Sequence, residues 1–272
     1  MAAAEVNAAI VAGFANDDDW QVAFAAVESD QAATITAPRG WATLNAEGST
    51  FVADNGNLLR GPFASTEWGA PPPLAAIQSI KDYGANAIHL YGEVFDPNYV
   101  SGVPGSGTAP GYAQSRIDQM VQMTRDEGLY LVLTIGNGGN NGSFNYDYVM
   151  DFWRLYADRY KNESHVLFEI QNEPHAWSTP YPQTVLNMEA DAYTLIRSLA
   201  PDTPVLLFSI AVLGDGASAV SDLSQVSAAA SIDWTKAGVA FHGYAGHQAT
   251  PPAVETILNA GYPVFMTEFT AS

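Results

Sequence analysis

The sequence predicts an α/β protein of the (β/α)8 TIM-barrel type that ends after its seventh strand. Short apolar runs alternate along the chain with longer amphipathic runs, which is typical of repeated strand-helix units. Side chains capable of catalysis follow the strands at one end, where barrel enzymes assemble their active sites. No GxGxxG or Walker sequence opens a helix, and this favours the barrel over a doubly wound sheet.

The predicted strands are rich in Val, Ile, Leu and Phe and show little polar alternation. This composition is typical of parallel strands that are covered on both faces. The strands are expected at residues 58–61, 86–91, 129–134, 166–171, 205–209, 239–242 and 264–267.

Helical patterns fill the intervals between these strands. They are expected at residues 73–83, 112–127, 146–160, 182–199, within 217–230 and at 252–259. Several end at a stop signal for a helix, as at Tyr83-Gly84, Glu127-Gly128 and Ala260-Gly261.

Two domain segments are predicted. Residues 1–40 form an N-terminal extension, and residues 41–272 form the barrel domain, which is incomplete at its C-terminus because only four residues follow Glu268. The open strand edges then need a cover, since backbone N–H and C=O groups require partners. The candidates are the apolar segment at residues 20–26, a partner chain in an oligomer, or the rest of a longer natural protein.

Composition narrows the classes of partner. The net charge of −19 over 272 residues disfavours nucleic acid and anionic membranes, and no apolar run approaches the roughly 20 residues of a membrane span. The absence of Cys excludes disulfides and thiol catalysis. His165 and His175 lack ligand partners at metal spacing, so no metal and no cofactor are expected. The first residues lack the basic segment of a signal peptide.

Two segments carry the strongest chemical signal. One apolar strand delivers Asn172 and Glu173 before Pro174, and another ends in Glu268. Cleavage of a glycosidic bond with retention needs two carboxyl groups about 5 to 5.5 Å apart. Strands that face each other across a barrel mouth can supply that pair. The alternative for Asn172 and Glu173 is a plain helix start, because Asn caps helices well.

The combined motifs resemble glycoside hydrolase family 5, a cellulase-containing family of (β/α)8 barrels, over residues 48–269. The resemblance rests on Asn55-Gly56, Leu59-Arg60-Gly61, Asn172-Glu173-Pro174, Phe241-His242-Gly243-Tyr244 and Thr267-Glu268-Phe269.

This likeness implies a role for each matching residue. Glu173 would be the general acid/base, Glu268 the nucleophile, and Asn172 a partner of the sugar 2-hydroxyl. Arg60 and Tyr244 would orient Glu268, and His242 would line the adjacent subsite.

Further substrate contacts are expected at the mouth of the barrel. Tyr91 ends the second strand, and Trp68 and Trp177 lie in loops where aromatic faces can stack on sugars. Asn137 stands near the end of the third strand, where the family usually has a His. We interpret His89, inside its strand, as structural.

The resulting hypothesis is a retaining, endo-acting hydrolase of β-1,4-linked glucan, which uses double displacement and is secreted by analogy with the family. Its partner would be a polysaccharide or oligosaccharide. A β-1,4-mannanase of the same mechanism is the nearest alternative. A weakly active or inactive polysaccharide-binding barrel and an unrelated α/β enzyme are the others.

Overall fold

The computed structural model describes residues 39–140, 142–175, 179–244 and 250–270. Its strands are β1 (Thr43–Leu44), β2 (Phe51–Val52), β3 (Phe63–Ser65), β4 (Ala87–Val94), β5 (Tyr130–Gly136), β6 (Val166–Glu169), β7 (Val205–Ile210), β8 (Ala237–Tyr244) and β9 (Val264–Thr270). Its helices are α1 (Leu74–Asp82), α2 (Gln114–Glu127), α3 (Tyr146–Tyr160), α4 (Gln183–Leu199), α5 (Gly216–Ala230) and α6 (Thr250–Asn259).

Strands β3 to β9 form one seven-stranded parallel sheet in sequential order, with a helix between each pair of neighbours. This arrangement confirms the predicted (β/α)-barrel type, with seven parallel barrel strands among the described residues. Within the described ranges, no strand joins the edge strand β9 to the edge strand β3.

Local sequence explains how the elements begin and end. The Asn145 side chain accepts the Tyr148 N–H at the start of α3, and the Asp215 side chain accepts two N–H groups at the start of α5. Helix α2 ends at Gly128, whose φ of 70° is the left-handed conformation that glycine tolerates best. Strand β5 is buried along its whole length, as its apolar composition predicts.

The antiparallel hairpin β1–β2 covers the amino-terminal end of the barrel. Phe51 is 1% exposed and belongs to a cluster with interior residues of the barrel strands, including Val132 and Leu206. Tyr130 ties the hairpin region to β5, since its hydroxyl donates to the Gly40 carbonyl and accepts the Asp54 N–H. Apolar side chains therefore fill this end of the barrel and leave the opposite end for polar groups.

The first barrel strand differs from its predicted position. Residues 58–61 were expected to form it, but the structure places the strand at Phe63–Ser65, paired in parallel with β4. Pro62 lacks an N–H group and interrupts the ladder, although its carbonyl accepts the His89 N–H. The segment at residues 20–26 and most of the extension at residues 1–40 lie outside the described residues.

No helix among the described residues combines the length and apolar character needed to cross a membrane.

Candidate active site

Glu173 lies just beyond β6, in a segment with an unusual backbone conformation. Its φ is 45°, a left-handed value that is rare outside glycine and that clusters at functional sites. Asn172 N–H donates to the Ile135 carbonyl, and Glu173 carbonyl accepts the Gly142 N–H. Backbone contacts with the neighbouring strand and loop therefore hold this conformation in place.

Two polar side chains contact the Glu173 carboxyl group. Asn137 Nδ2 donates to Oε2 at 3.2 Å, and His242 Nδ1 lies 2.9 Å from Oε1. Glu173 is only 5% exposed, so these contacts replace most of its hydration. Asn137, predicted as a substrate contact, is thus placed on the carboxyl group itself.

Glu268, on β9, receives hydrogen bonds from two phenols. Tyr91 donates to Oε1, and Tyr244 donates to Oε2 at 2.7 Å. Burial, followed by the nearby Glu268 charge, raises the pKa of Tyr91 well above its ordinary value. Burial also raises the pKa of Tyr244, and the bond to Glu268 adds to this effect. Both phenols therefore remain protonated and donate hydrogen bonds to the Glu268 carboxyl group.

His242 connects the two carboxyl groups. Its Nδ1 lies 2.9 Å from Glu173 Oε1, 3.8 Å from Glu268 Oε2 and 3.0 Å from the Tyr244 hydroxyl. Glu173 Oε1 and Glu268 Oε2 can therefore be no farther apart than their two distances to His242 Nδ1 combined. The structure brings Glu173, Glu268, His242 and Tyr244 together as the sequence predicted.

An irregularity in β7 supplies the support behind this group. Phe208 and Ser209 have φ values of 77° and 41°, and the pairing with β8 shifts register at this point. Ser209 Oγ, which is turned toward the site, lies 3.4 Å from Asn172 Oδ1 and 3.3 Å from His242 Nε2. Ser209 could not be predicted as a site residue, because an apolar run with one Ser gives no sign of a bulge.

The expectation for Arg60 is wrong. Its N–H donates to Asn86 Oδ1 and its Nε donates to the Gly84 carbonyl, and both of these residues precede β4. Arg60 therefore lies near the amino-terminal ends of the strands, away from Glu268. The displacement of the first strand to Phe63–Ser65 explains the error, since Arg60 comes before this strand and not at its tip.

His89 and Glu169 lie deeper in the barrel and form a buried pair. His89 Nε2 is 2.5 Å from Glu169 Oε2, and His89 Nδ1 is 3.7 Å from Glu268 Oε1. His89, interpreted from the sequence as structural, thus contacts Glu169 and lies close to Glu268. The sequence offered one sign of this pair, since each of two apolar strands contains a single ionisable residue. Such residues are rarely buried without partners.

The mouth of the barrel carries an exposed aromatic face. Trp68 is 75% exposed, and a methyl group at Gly138 would lie 3.6 Å from its ring. The adjacent Glu67 is buried, with Oε1 lacking a hydrogen-bond partner among the described residues, and burial raises the pKa of its carboxyl group. Trp177 lies outside the described residues, so its stacking role stays a prediction.

In the part of the chain that the structure describes, no three His, Asp or Glu residues form a group able to hold a metal ion.

A parallel barrel with two carboxyl groups at the carboxyl ends of its strands defines the class of barrel glycosidases. The chain belongs to glycosyl hydrolase family 5, because the family model described as cellulase matches residues 44–272. The predicted family is therefore confirmed.

Two curated relatives are endoglucanases. The chain is 27% identical to endoglucanase E-5 of Thermobifida fusca over 178 residues and 28% identical to endoglucanase CelA of Streptomyces lividans over 173 residues. Each match covers 61% of this chain and 35% of the relative. The aligned part thus corresponds to about a third of each relative.

Solved structures support the fold. Cellulase Cel5C_n matches with a TM-score of 0.63 at 20% identity, covering 88% of this chain and 73% of that one. The catalytic domain of Thermobifida fusca endoglucanase Cel5A in complex with cellotetraose matches with a TM-score of 0.59 at 23% identity, covering 82% and 72%. The catalytic domain of the major endoglucanase of Xanthomonas campestris pv. campestris matches with a TM-score of 0.60 at 15% identity, covering 85% and 81%.

Proposed function

We propose that the protein is a retaining, endo-acting glycoside hydrolase of β-1,4-linked glucan, with Glu173 as acid/base and Glu268 as nucleophile. The observation that carries the proposal is the position of His242 Nδ1, 2.9 Å from one carboxyl group and 3.8 Å from the other. Retaining enzymes hold their carboxyl groups about 5 to 5.5 Å apart, and inverting enzymes about 6.5 to 9.5 Å apart. The upper limit that His242 sets on one pair of carboxyl oxygens supports the shorter, retaining arrangement.

In the first step, protonated Glu173 donates its proton to the glycosidic oxygen while a Glu268 oxygen attacks the anomeric carbon. The bond to the leaving sugar breaks, and a covalent glycosyl ester forms on Glu268. Tyr91 and Tyr244 orient the Glu268 carboxylate through hydrogen bonds before attack. The phenols can then stabilise the charge that returns to the carboxylate in the second step.

In the second step, the Glu173 carboxylate removes a proton from water, and the resulting nucleophile attacks the same carbon. Glu268 leaves as a carboxylate, and Glu173 is protonated again. His242 suits both states of Glu173, because an imidazole nitrogen can accept from the acid or donate to the carboxylate according to its tautomer. Asn137 supports the same group through Oε2.

The substrate class follows from the relatives and from the mouth of the site. Both curated relatives are endoglucanases, and one structural neighbour holds cellotetraose. Trp68 offers an exposed stacking face, and we assign Asn172 to the 2-hydroxyl of the sugar, as the family resemblance implies. We propose secretion as well, since a polymeric substrate of this kind is reached outside the cell.

Release of reducing sugar from carboxymethylcellulose and galactomannan tests this proposal. We expect faster release from carboxymethylcellulose and loss of release in Glu268→Gln. The control is Glu47→Gln, an exposed substitution in the hairpin at the other end of the barrel, which should keep full activity. Faster cleavage of galactomannan would assign the mannanase alternative, and binding without release would assign an inactive sugar-binding barrel.

A further inference from the structure

A buried ion pair lies below the two catalytic carboxyl groups. His89 projects from β4 and Glu169 from β6, with 6% and 0% of their side chains exposed. His89 Nε2 and Glu169 Oε2 are 2.5 Å apart. A buried carboxylate of this kind needs a donor, and the imidazole supplies it.

The other imidazole nitrogen faces the proposed nucleophile. His89 Nδ1 lies 3.7 Å from Glu268 Oε1, and it has no hydrogen-bond partner among the described residues. The two nitrogens of one ring are therefore directed at two different carboxyl groups.

This geometry distinguishes the protonation states of His89. A neutral ring that donates from Nε2 to Glu169 presents the lone pair of Nδ1 to Glu268, which repels an anionic carboxylate. A doubly protonated ring presents an N–H and a positive charge to it instead. The anion that the nucleophile role requires is compatible with the charged ring and is opposed by the neutral one.

We propose that His89 is a positioning residue whose charged form, held by Glu169, orients the Glu268 carboxylate for attack on the sugar. This inference rests on the proposed role of Glu268. It adds a pH-dependent control of that role, because a His can lose its charge.

The surroundings of the ring favour its charged form. Glu169 faces it from β6, Glu268 from β9 and Tyr91 from β4, with the Tyr91 and His89 ring centroids 5.4 Å apart. Burial opposes protonation of His89, but the charge and hydrogen bond of Glu169 outweigh it and raise the pKa of His89. Burial likewise disfavours the ionised form of Glu169, yet His89, with His242 beyond it, lowers the pKa of Glu169.

The chemical consequence is a loss of nucleophile reactivity at alkaline pH. The loss should appear as His89 gives up its proton, above the ordinary range for His. General-acid catalysis by Glu173 also fails as pH rises, so the two effects must be separated. A leaving group that needs no protonation achieves this, because only the nucleophile then limits formation of the covalent ester.

The test measures the rate at which 2,4-dinitrophenyl 2-deoxy-2-fluoro-β-cellobioside labels the protein between pH 5 and 10, with the labelled residue identified by mass spectrometry. For the wild type we expect labelling of Glu268 with a fall in rate at alkaline pH. For His89→Gln we expect a rate lower by on the order of 100-fold at acidic pH, without that alkaline fall. The matched control is His165→Gln, a buried His that contacts the Val121 carbonyl outside the site and should leave the profile unchanged.

An alkaline fall that persists in His89→Gln, or an unchanged rate, would overturn the inference. Labelling of a residue other than Glu268 in the wild type would contradict the proposed function instead. If His89→Gln does not fold, 15N spectra of the histidine-labelled wild type decide the question. Two protonated ring nitrogens on His89 at the pH of fastest labelling support the inference, and one protonated nitrogen overturns it.

Discussion

The two glutamates proposed as catalytic, Glu173 and Glu268, differ in the side chains around them. Glu268 receives hydrogen bonds from two phenols, whereas Glu173 contacts an amide and an imidazole. Both residues were found from sequence because each ends an apolar strand. The prediction for Arg60 failed because the first barrel strand begins later in the sequence than expected. The contact between His89 and Glu169 was not predicted because the two residues lie 80 positions apart in the sequence.

Replacement of Glu173 by Ala should remove proton donation to the leaving group. We expect kcat on cellotetraose to fall by about 10² to 10⁴, with a much smaller fall for formation of the ester from a dinitrophenyl cellobioside. Azide should restore turnover of the activated substrate, since a small anion fills the space and needs no general base. Equal losses on both substrates would refute the acid role.

Tyr244→Phe tests the phenol that bridges Glu268 and His242. Loss of this donor should lower kcat by on the order of 100-fold with little change in the melting temperature, because the phenol contributes to charge stabilisation near the reacting carbon. Tyr146→Phe is the matched control, since its hydroxyl contacts Asp191 on the outer surface. Kinetics of Tyr244→Phe that match those of the wild type would show that the bond is not used.

At the scale of elements, apolar runs and stop signals located the helices and strands to within a few residues. Residues 146–160 were predicted as a helix and form α3 with those bounds. The misses occur where backbone geometry departs from the regular pattern, at Pro62 before β3 and at the Phe208–Ser209 irregularity in β7. Such features depend on contacts between strands, which a single run of sequence does not record.

Helix α4 contains a buried carboxyl group whose titration should be visible in stability. Burial raises the pKa of Glu189 to about 8, from an ordinary value of 4.5. The folded state therefore binds the proton more tightly than the unfolded state. The resulting stability is fully present below pH about 4.5 and is lost as pH rises to about 8.

Glu189→Gln should remove this dependence, because an amide does not titrate. The free energy of unfolding, measured by urea denaturation, should rise in the variant relative to the wild type as pH increases through that window, by up to roughly 1.4 kcal/mol per pH unit. The difference should become constant above pH about 8. Glu47→Gln, on the exposed hairpin, should show no such trend, and a constant difference between Glu189→Gln and wild type across the window would contradict the assignment.

At the scale of the whole molecule, the sequential parallel sheet brings side chains from the six strands β4 to β9, or from the residues just after them, to one end. The hairpin β1–β2 fills the other end with apolar residues. The candidate catalytic residues and this apolar cluster therefore lie at opposite ends of the barrel. The class of fold was predictable because strand period, helix period and the position of polar residues agreed. How residues 1–38 relate to the edges of the sheet stays a prediction.

The central claim is that Glu268 attacks the sugar on one face and that Glu173 then activates water on the opposite face, from which the leaving group departed. Proton NMR of the wild type at the start of cellotetraose hydrolysis tests it most directly, because the anomeric signals report the configuration before mutarotation. The account predicts that the β-anomer appears first and the α-anomer follows by equilibration. Initial formation of the α-anomer would mean a single inverting displacement and would contradict the account.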